Sequence, residues 1–267
     1  MSIITLLTDF GTQDYFVGAM KGVILSANPA AVIVDITHDI PPQDVHAAAF
    51  NLLATYKDFP SGTIHVAVVD PGVGSSRRPI LIECGEQLFV GPDNGLFSWI
   101  CEREERFLAR HLTNERFFRQ PKSATFHGRD VFAPVAAALS SGVVAEEFGP
   151  RIDDLIELEP LTPRTVGDRT VEAAIIHIDR FGNCITNLTV QHVTDSVNGR
   201  SRLVVNDHEI TCFREFFSAP EESGEALFMI SGSAGFIEIA ARNSSAASIL
   251  KVQPGQSVLL QTGLKGE

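Results

Sequence analysis

Four short stretches place polar side chains where a packed core has no use for them: Thr8-Asp9-Phe10-Gly11, Asp70 to Arg78, Thr125-Phe126-His127-Gly128-Arg129-Asp130, and Asp179-Arg180-Phe181-Gly182-Asn183. Each lies at the end of an apolar run or the start of a helix, and each contains glycine, which lets a backbone approach a ligand closely. One such stretch alone reads as a turn with a capping Asp. Four in one chain read as a site. In HVAVVDPGVGSSRRPI, residues 65–80, the apolar run stops at Asp70 and a glycine turn leads to two arginines. That turn can fold Arg77 back onto Asp70 as an ion pair that orients a third polar group, and His127 is the best candidate for the third. A histidine near neutral pKa, fixed by a charged pair, can polarise a water. The phosphate loop GxxxxGK[ST] is absent, and Arg77 occupies the third-glycine position of a dinucleotide fingerprint, so neither nucleotide motif applies.

The elements that position these residues follow from periodicity. Ile3 to Thr8 is a β-rich apolar run, and Phe16, Ala19, Met20, Val23, Ile24 and Ala27 recur on one helical face until Asn28-Pro29. Ala31 to Ile36, a helix through Val45 to Tyr56, and the strand Thr63 to Val69 continue the alternation. The pattern predicts an N-terminal layered α/β domain, residues 1–155, with a largely parallel central sheet. Functional groups of such sheets gather beyond the carboxyl ends of the strands, where Asp9 and Asp70 both fall. Asp130 is read as the N-cap of a helix through Val131, Val135 and Leu139.

Residues 156–170, rich in proline and glycine, read as a linker. Beyond them, short strand candidates follow without a convincing amphipathic helix: Val171–Ile178, Arg202–Val205, Glu209–Phe213, Ala226–Ile230, Gly235–Ala241 and Ser257–Leu260. They predict a smaller all-β, barrel-like domain over residues 171–267.

A net charge of -12 excludes an open basic face for nucleic acid or anionic lipid and favours a small-molecule ligand. Cys84, Cys101, Cys184 and Cys212 are widely spaced among apolar neighbours, as expected of reduced core thiols in a cytoplasmic protein. The first residues, MSIITLLTDFG, lack the basic start of a signal peptide, and no run reaches the roughly 18 apolar residues of a membrane span.

TLLTDFG, GAMKGVI, VVDPGVGSSRR, FVGPDNGLFSW, TFHGRDVFAP, IDRFGNCITN and GSAGFIEIA, in order over residues 3–245, resemble the S-adenosyl-L-methionine (SAM) hydroxide adenosyltransferases, relatives of the SAM-dependent fluorinases and chlorinases. The resemblance implies attack of a water-derived hydroxide on ribose C5′ of SAM, giving adenosine and L-methionine, with no cofactor and no metal. It implies that Asp70, Arg77 and His127 hold and activate the water, and that Asp9 takes the two ribose hydroxyls. Asp179 then lies near the methionine amino group, with Phe181 and Asn183 at the adenine and Ser233 at the methionine end. It also implies a homotrimer with sites at subunit interfaces. Arg77 cannot be the base because it does not deprotonate in proteins; His127 and Asp70 both remain open.

Three other readings compete. A halogenase shares the ligand motifs, but a carboxylate beside an incoming halide opposes it. A metal-dependent phosphatase would use Asp9, Asp93, Asn94 and His127 as hard ligands. A SAM or adenosine sensor would bind without turnover.

Overall fold

The computed structural model describes residues 2–104, 106–194, 201–217 and 226–263. The chain divides into two compact units, Met1–Glu159 and Pro160–Glu267.

The first unit is built on strands β1 (Ile3–Thr8), β2 (Val32–Thr37), β3 (Ile64–Val68), β4 (Pro79–Cys84), β5 (Gln87–Pro92), β6 (Phe107–His111) and β7 (Arg151–Ile152). They form one sheet in the order β2-β1-β3-β5-β4-β6-β7. The β2-β1-β3-β5 half is parallel and the β4, β6 and β7 pairings are antiparallel. The expected α/β architecture is thus present, with a parallel core and an antiparallel flank. Helices α1 (Phe16–Ala27), α2 (Val45–Thr55), α3 (Ser98–Glu104) and α4 (Ala133–Ser140) connect or cover the strands. Met20 and Ile24 of α1 join Val135, Ala136 and Leu139 of α4 in a core over Ile4, Leu6, Ile64, Val66 and Val68. Alternate residues of β1 and β3 point to that face because strand side chains alternate. Every residue of β3 is buried, His65 included, as a strand covered on both faces requires.

His65 is a core group. Thr5 Oγ1 lies 2.7 Å from its Nδ1 and Gln87 Oε1 2.5 Å from its Nε2. The Gln87 amide nitrogen donates to the carbonyls of Tyr56 and Phe59, so Oε1 accepts and the ring carries its proton on Nε2. Burial pulls the His65 pKa down to about 4, against the opposing pull of Gln87.

Asp130 does not cap the helix as expected. The chain enters α4 through a wide π-type turn, Gly128–Phe132, and Asp130 lies inside it, fully buried. Its carboxylate accepts from Ser123 N–H (2.8 Å) and from Arg129 (2.7 and 2.9 Å), tying down the loop that leads to His127. The side chain was already committed to a tertiary contact seven residues back, so no cap could form.

The second unit contains β8 (Arg164–Gly167), β9 (Thr170–Ile178), β10 (Cys184–Thr186), β11 (Arg202–Val205), β12 (His208–Ile210), β13 (Phe213–Arg214), β14 (Leu227–Ser231), β15 (Ile237–Ala241) and β16 (Ser257–Gln261). Eight run in the order β12-β11-β16-β9-β10-β15-β14-β13, with β8 paired to β9, in one curled sheet that makes a half-barrel. Its core holds Ile175, Cys184, Leu203, Met229, Ile237, Ile239 and Leu260. One short helix, α5 (Ala246–Leu250), interrupts the strands, its start capped by Ser245 accepting from Ser248 N–H. Five residues are too few to show a helical period, which is why the sequence pattern passed over it. No helix among the described residues is long and apolar enough to cross a membrane.

Candidate active site

β1 and β3 are parallel neighbours, with Thr8 opposite Val68, so Asp9 and Asp70 leave the sheet at the same end. After Asp70 the chain turns back at once: Val73 N–H donates to Asp70 O and Ser75 N–H to Gly72 O. Gly74 has a φ of +78° and lies so close to the segment before His127 that a Cβ would overlap the Ala124 carbonyl oxygen. Glycine is required there twice over, by conformation and by approach. The turn is thereby pressed against the loop that carries the third residue of the site.

The result is a compact triad. Arg77 Nε donates to Asp70 Oδ1 (3.0 Å), and Arg77 Nη2 donates both to Asp70 Oδ2 and to His127 Nδ1 (3.1 Å). The Arg77 and Asp70 side chains are only 6% and 5% exposed. Phe132 lies under the guanidinium, its ring centre 5.4 Å from Cζ. A bidentate guanidinium–carboxylate pair of this kind fixes orientation as well as charge. Arg77 Nη1, by contrast, is buried and has no hydrogen-bond partner among the described residues. A buried donor left unpaired costs about 1–3 kcal/mol, and such a group points to something the site is built to hold.

The electrostatics divide the roles. Burial raises the Asp70 carboxyl above its ordinary value, more than the Arg77 guanidinium and His127 pull it down. Burial and the adjacent Arg77 charge lower His127, against the opposing pull of Asp70. Neutral His127 accepts from Arg77 at Nδ1, so its proton sits on Nε2 and its one lone pair is occupied. Asp70 accepts two bonds from Arg77 and one from Gly72 N–H, which still leaves lone-pair capacity on its carboxylate. His127 Nδ1 is thus engaged by Arg77, while the Asp70 carboxylate can still accept.

Asp9 makes no hydrogen bond to the triad; its Oδ2 accepts from Gln43 N–H at 2.8 Å, and among the described residues its remaining lone pairs are open. Asp93 and Asn94, candidate metal ligands on the phosphatase reading, are committed to structure. Asp93 takes Arg78 and Ile156 N–H, and Asn94 donates to Val69 O. Among the described residues no cluster of three or more His, Cys, Asp or Glu is placed to hold a metal ion.

The second unit carries its own group of site residues on the β9–β10 turn. Asp179 accepts from Phe181 N–H (2.9 Å), Asn183 N–H (2.8 Å) and Asn183 Nδ2 (2.8 Å). One carboxylate therefore shapes the turn and aims both neighbours. Gly182 (φ +82°) packs on Ser245, where a Cβ would collide. Phe181 is thrust outward, 78% exposed, although it is a large aromatic. It and Asn183 line an open pocket of about 680 Å³ together with Phe217, Arg242 and Asn243. Ser233 lies exposed on the turn joining β14 to β15. Sequence reasoning missed Phe217, which lines that pocket, and the half-buried acid Glu238 of β15 outside it. The Glu238 carboxyl packs against Gly232, and burial, assisted by the charge of Asp179, raises its pKa. The signal available was an acid inside the apolar run GFIEIA.

Family models for the SAM hydroxide adenosyltransferase N-terminal and C-terminal domains match residues 4–149 and 173–259. The chain belongs to the SAM hydroxide adenosyltransferase family. It is 35% identical to the (R)-S-adenosyl-L-methionine hydrolase of Thermus thermophilus, over 97% of this chain and 100% of that one. It is 37% identical to the enzyme of the same name from Methanocaldococcus jannaschii, over 94% and 93%. A fluorinase of Nocardia brasiliensis is 25% identical over 98% and 97%. Among solved structures, an uncharacterized conserved protein from Thermotoga maritima superposes with a TM-score of 0.88 at 35% identity, covering 97% of this chain and 99% of that one. In this family member, the triad and the Phe181 pocket fall in the parts matched by the N- and C-terminal models respectively.

Proposed function

We propose that the protein hydrolyses SAM at ribose C5′ to adenosine and L-methionine, and that the buried, unpaired Nη1 of Arg77 is the donor that holds the attacking water. Asp70, Arg77 and His127 are then the catalytic residues. Arg77 Nη1 donates to the water oxygen, and Asp70 takes its proton as the C5′–O bond forms. The C5′–S bond breaks with its electron pair passing to sulfur, so the leaving methionine is a neutral thioether and needs no acid. A carboxyl raised by burial suits a base working near neutrality, and a water fixed in line avoids the entropy of finding the attack geometry. His127 braces Arg77 Nη2 and leaves Nη1 for the water.

The remaining groups bind substrate. Asp9 offers the acceptor lone pairs that two ribose hydroxyls need. Phe181 and Asn183 take the adenine, whose face suits an exposed ring and whose edge suits an amide. Asp179, Glu238 and Ser233 serve the methionine end, where negative potential favours the sulfonium and ammonium charges. These groups are divided between the two units, and we propose that they meet across subunits of a cytoplasmic homotrimer. An inactive Asp70→Ala protein mixed with an inactive Asn183→Ala protein would then regain activity on subunit exchange, and would stay inactive if each chain closes its own site.

The deciding experiment incubates the protein with SAM in ¹⁸O-water, with and without halide. Adenosine and methionine in equal amounts, with ¹⁸O in the adenosine 5′-hydroxyl, support the proposal. A halide-dependent 5′-halo product, or bound but intact SAM, overturns it.

A further inference from the structure

We infer that His38, held by Asp35, is a positioning residue for the Asp9 carboxylate, an inference that rests on the reading of Asp9 as the ribose acceptor. His38 grips the chain on both sides of Asp9. On one side its Nδ1 lies 2.9 Å from Thr8 Oγ1, and on the other its backbone carbonyl accepts Gly11 N–H at 2.8 Å. Phe10 N–H donates to Thr8 Oγ1 (3.2 Å), so Asp9 sits inside a closed set of bonds running from Thr8 to Gly11. Gln43 N–H fixes one carboxylate oxygen from a third direction. The β1–β2 register, which pairs Leu6 with Asp35, slips so that Leu7 meets Thr37, and His38 follows one residue later.

The bonding has a direction. Thr8 is fully buried, so its hydroxyl has no water to turn to. Oγ1 receives Phe10 N–H and also meets His38 Nδ1, which accepts the Thr8 hydroxyl proton when the ring carries its hydrogen on Nε2. Asp35 Oδ1 stands 3.1 Å from that nitrogen, oblique to the N–H axis, and favours this tautomer by charge. The other Asp35 oxygen receives Lys21 Nζ from α1 at 2.6 Å. Burial pushes the Asp35 carboxyl up, but its contacts with Lys21 and His38 outweigh it and hold it below its ordinary value. The relay from Lys21 to Thr8 ends at the residue before Asp9, and nothing in the hydrolysis itself uses it.

The test measures adenosine and 2′-deoxyadenosine binding by calorimetry, with steady-state SAM hydrolysis and melting temperature, on the full chain and on Asp9→Asn, His38→Gln, His38→Asn and Asp35→Asn. Asp9→Asn is expected to remove the preference for adenosine over its 2′-deoxy form. His38→Gln, which loses the acceptor at Nδ1, is expected to cut that preference about tenfold, since a hydrogen bond to a charged group is misplaced, with KM rising more than kcat falls. His38→Asn, whose Oδ1 replaces Nδ1, recovers most of it, and the partly exposed Asp35→Asn cuts it about threefold, as loss of a charge beside the ring would. A merely structural histidine would lower the melting temperature and leave the preference unchanged. Wild-type preference in His38→Gln and Asp35→Asn, with Asp9→Asn impaired, overturns the inference alone. Wild-type preference in Asp9→Asn overturns the ribose reading and the inference together.

Discussion

Arg77 and Arg78 are neighbours in sequence and opposites in use. Arg78 spends all its nitrogens: Nε (2.8 Å) and Nη2 (2.5 Å) on Asp93, Nη1 on the Asp154 carboxylate (2.6 Å), and Nη2 again on Asp154 O (2.6 Å). Asp93 in turn receives Ile156 N–H (2.9 Å), so Arg78 braces the segment that closes the first unit. Arg77 is more deeply buried yet leaves one nitrogen unpaired. A fold optimised only for stability would satisfy the more buried of the two first. That it does the reverse is what the proposed water site requires of Arg77, and the same contrast separates His65, bonded at both nitrogens, from His127, bonded at one.

The sharpest break of this contrast is Asp70→Asn. The amide oxygen still accepts one Arg77 bond, but its NH2 faces the other Arg77 N–H and it cannot take a proton, so kcat per folded molecule is expected to fall about a thousandfold, within the range for loss of a general base, beyond the stability lost with the buried charge pair. Comparable losses of stability and rate would make the pair a brace like Arg78.

Arg78→Ala should do the converse. It leaves the buried Asp93 carboxylate without its cation, holding only Ile156 N–H, at about 3 kcal/mol in chemical unfolding, with kcat per folded molecule retained.

Acid should act through His65. Its folded pKa of about 4 lies below the 6.5 of the unfolded chain, so only the unfolded state gains a proton as pH falls between these values. The stability His65 contributes is complete above pH 6.5 and is lost toward pH 4, about 3 kcal/mol in all. His65→Gln, measured over the same range, should flatten that part of the curve. His127→Asn should have the smallest effect: its Oδ1 still accepts from Arg77 Nη2, and kcat should drop about tenfold, as for a bracing bond to a charged group. A loss as large as that of Asp70→Asn would make His127 the base.

The comparison also shows which features can be seen without coordinates. The strand-helix alternation of the first unit was legible because burial on two faces leaves continuous apolar runs such as Ile64–Val68. The barrel-like character of the second unit was legible from short, evenly spaced strands. The Asp70–Arg77 pairing was legible because a glycine turn at a strand end is local chemistry, and His127 joined it through the ordered motifs of the family resemblance. The role of Asp130 was misread because its partner, Ser123, sits in an irregular loop whose path no period predicts.

What the sequence by itself determined is the placement of Asp9 and Asp70 at strand ends, the turn that returns Arg77 to Asp70, and the family, since these rest on neighbours within a few residues and on ordered motifs. Only the tertiary structure decided which donors are spent. It assigned the His127 lone pair to Arg77 across 50 residues, Asp93 to Ile156 across 63, and His38 to Thr8 across 30. The choice of base, of brace and of positioning residue depends on which polar atom meets which in a low-dielectric interior. Those meetings are fixed by packing, which a linear pattern of residue types does not contain.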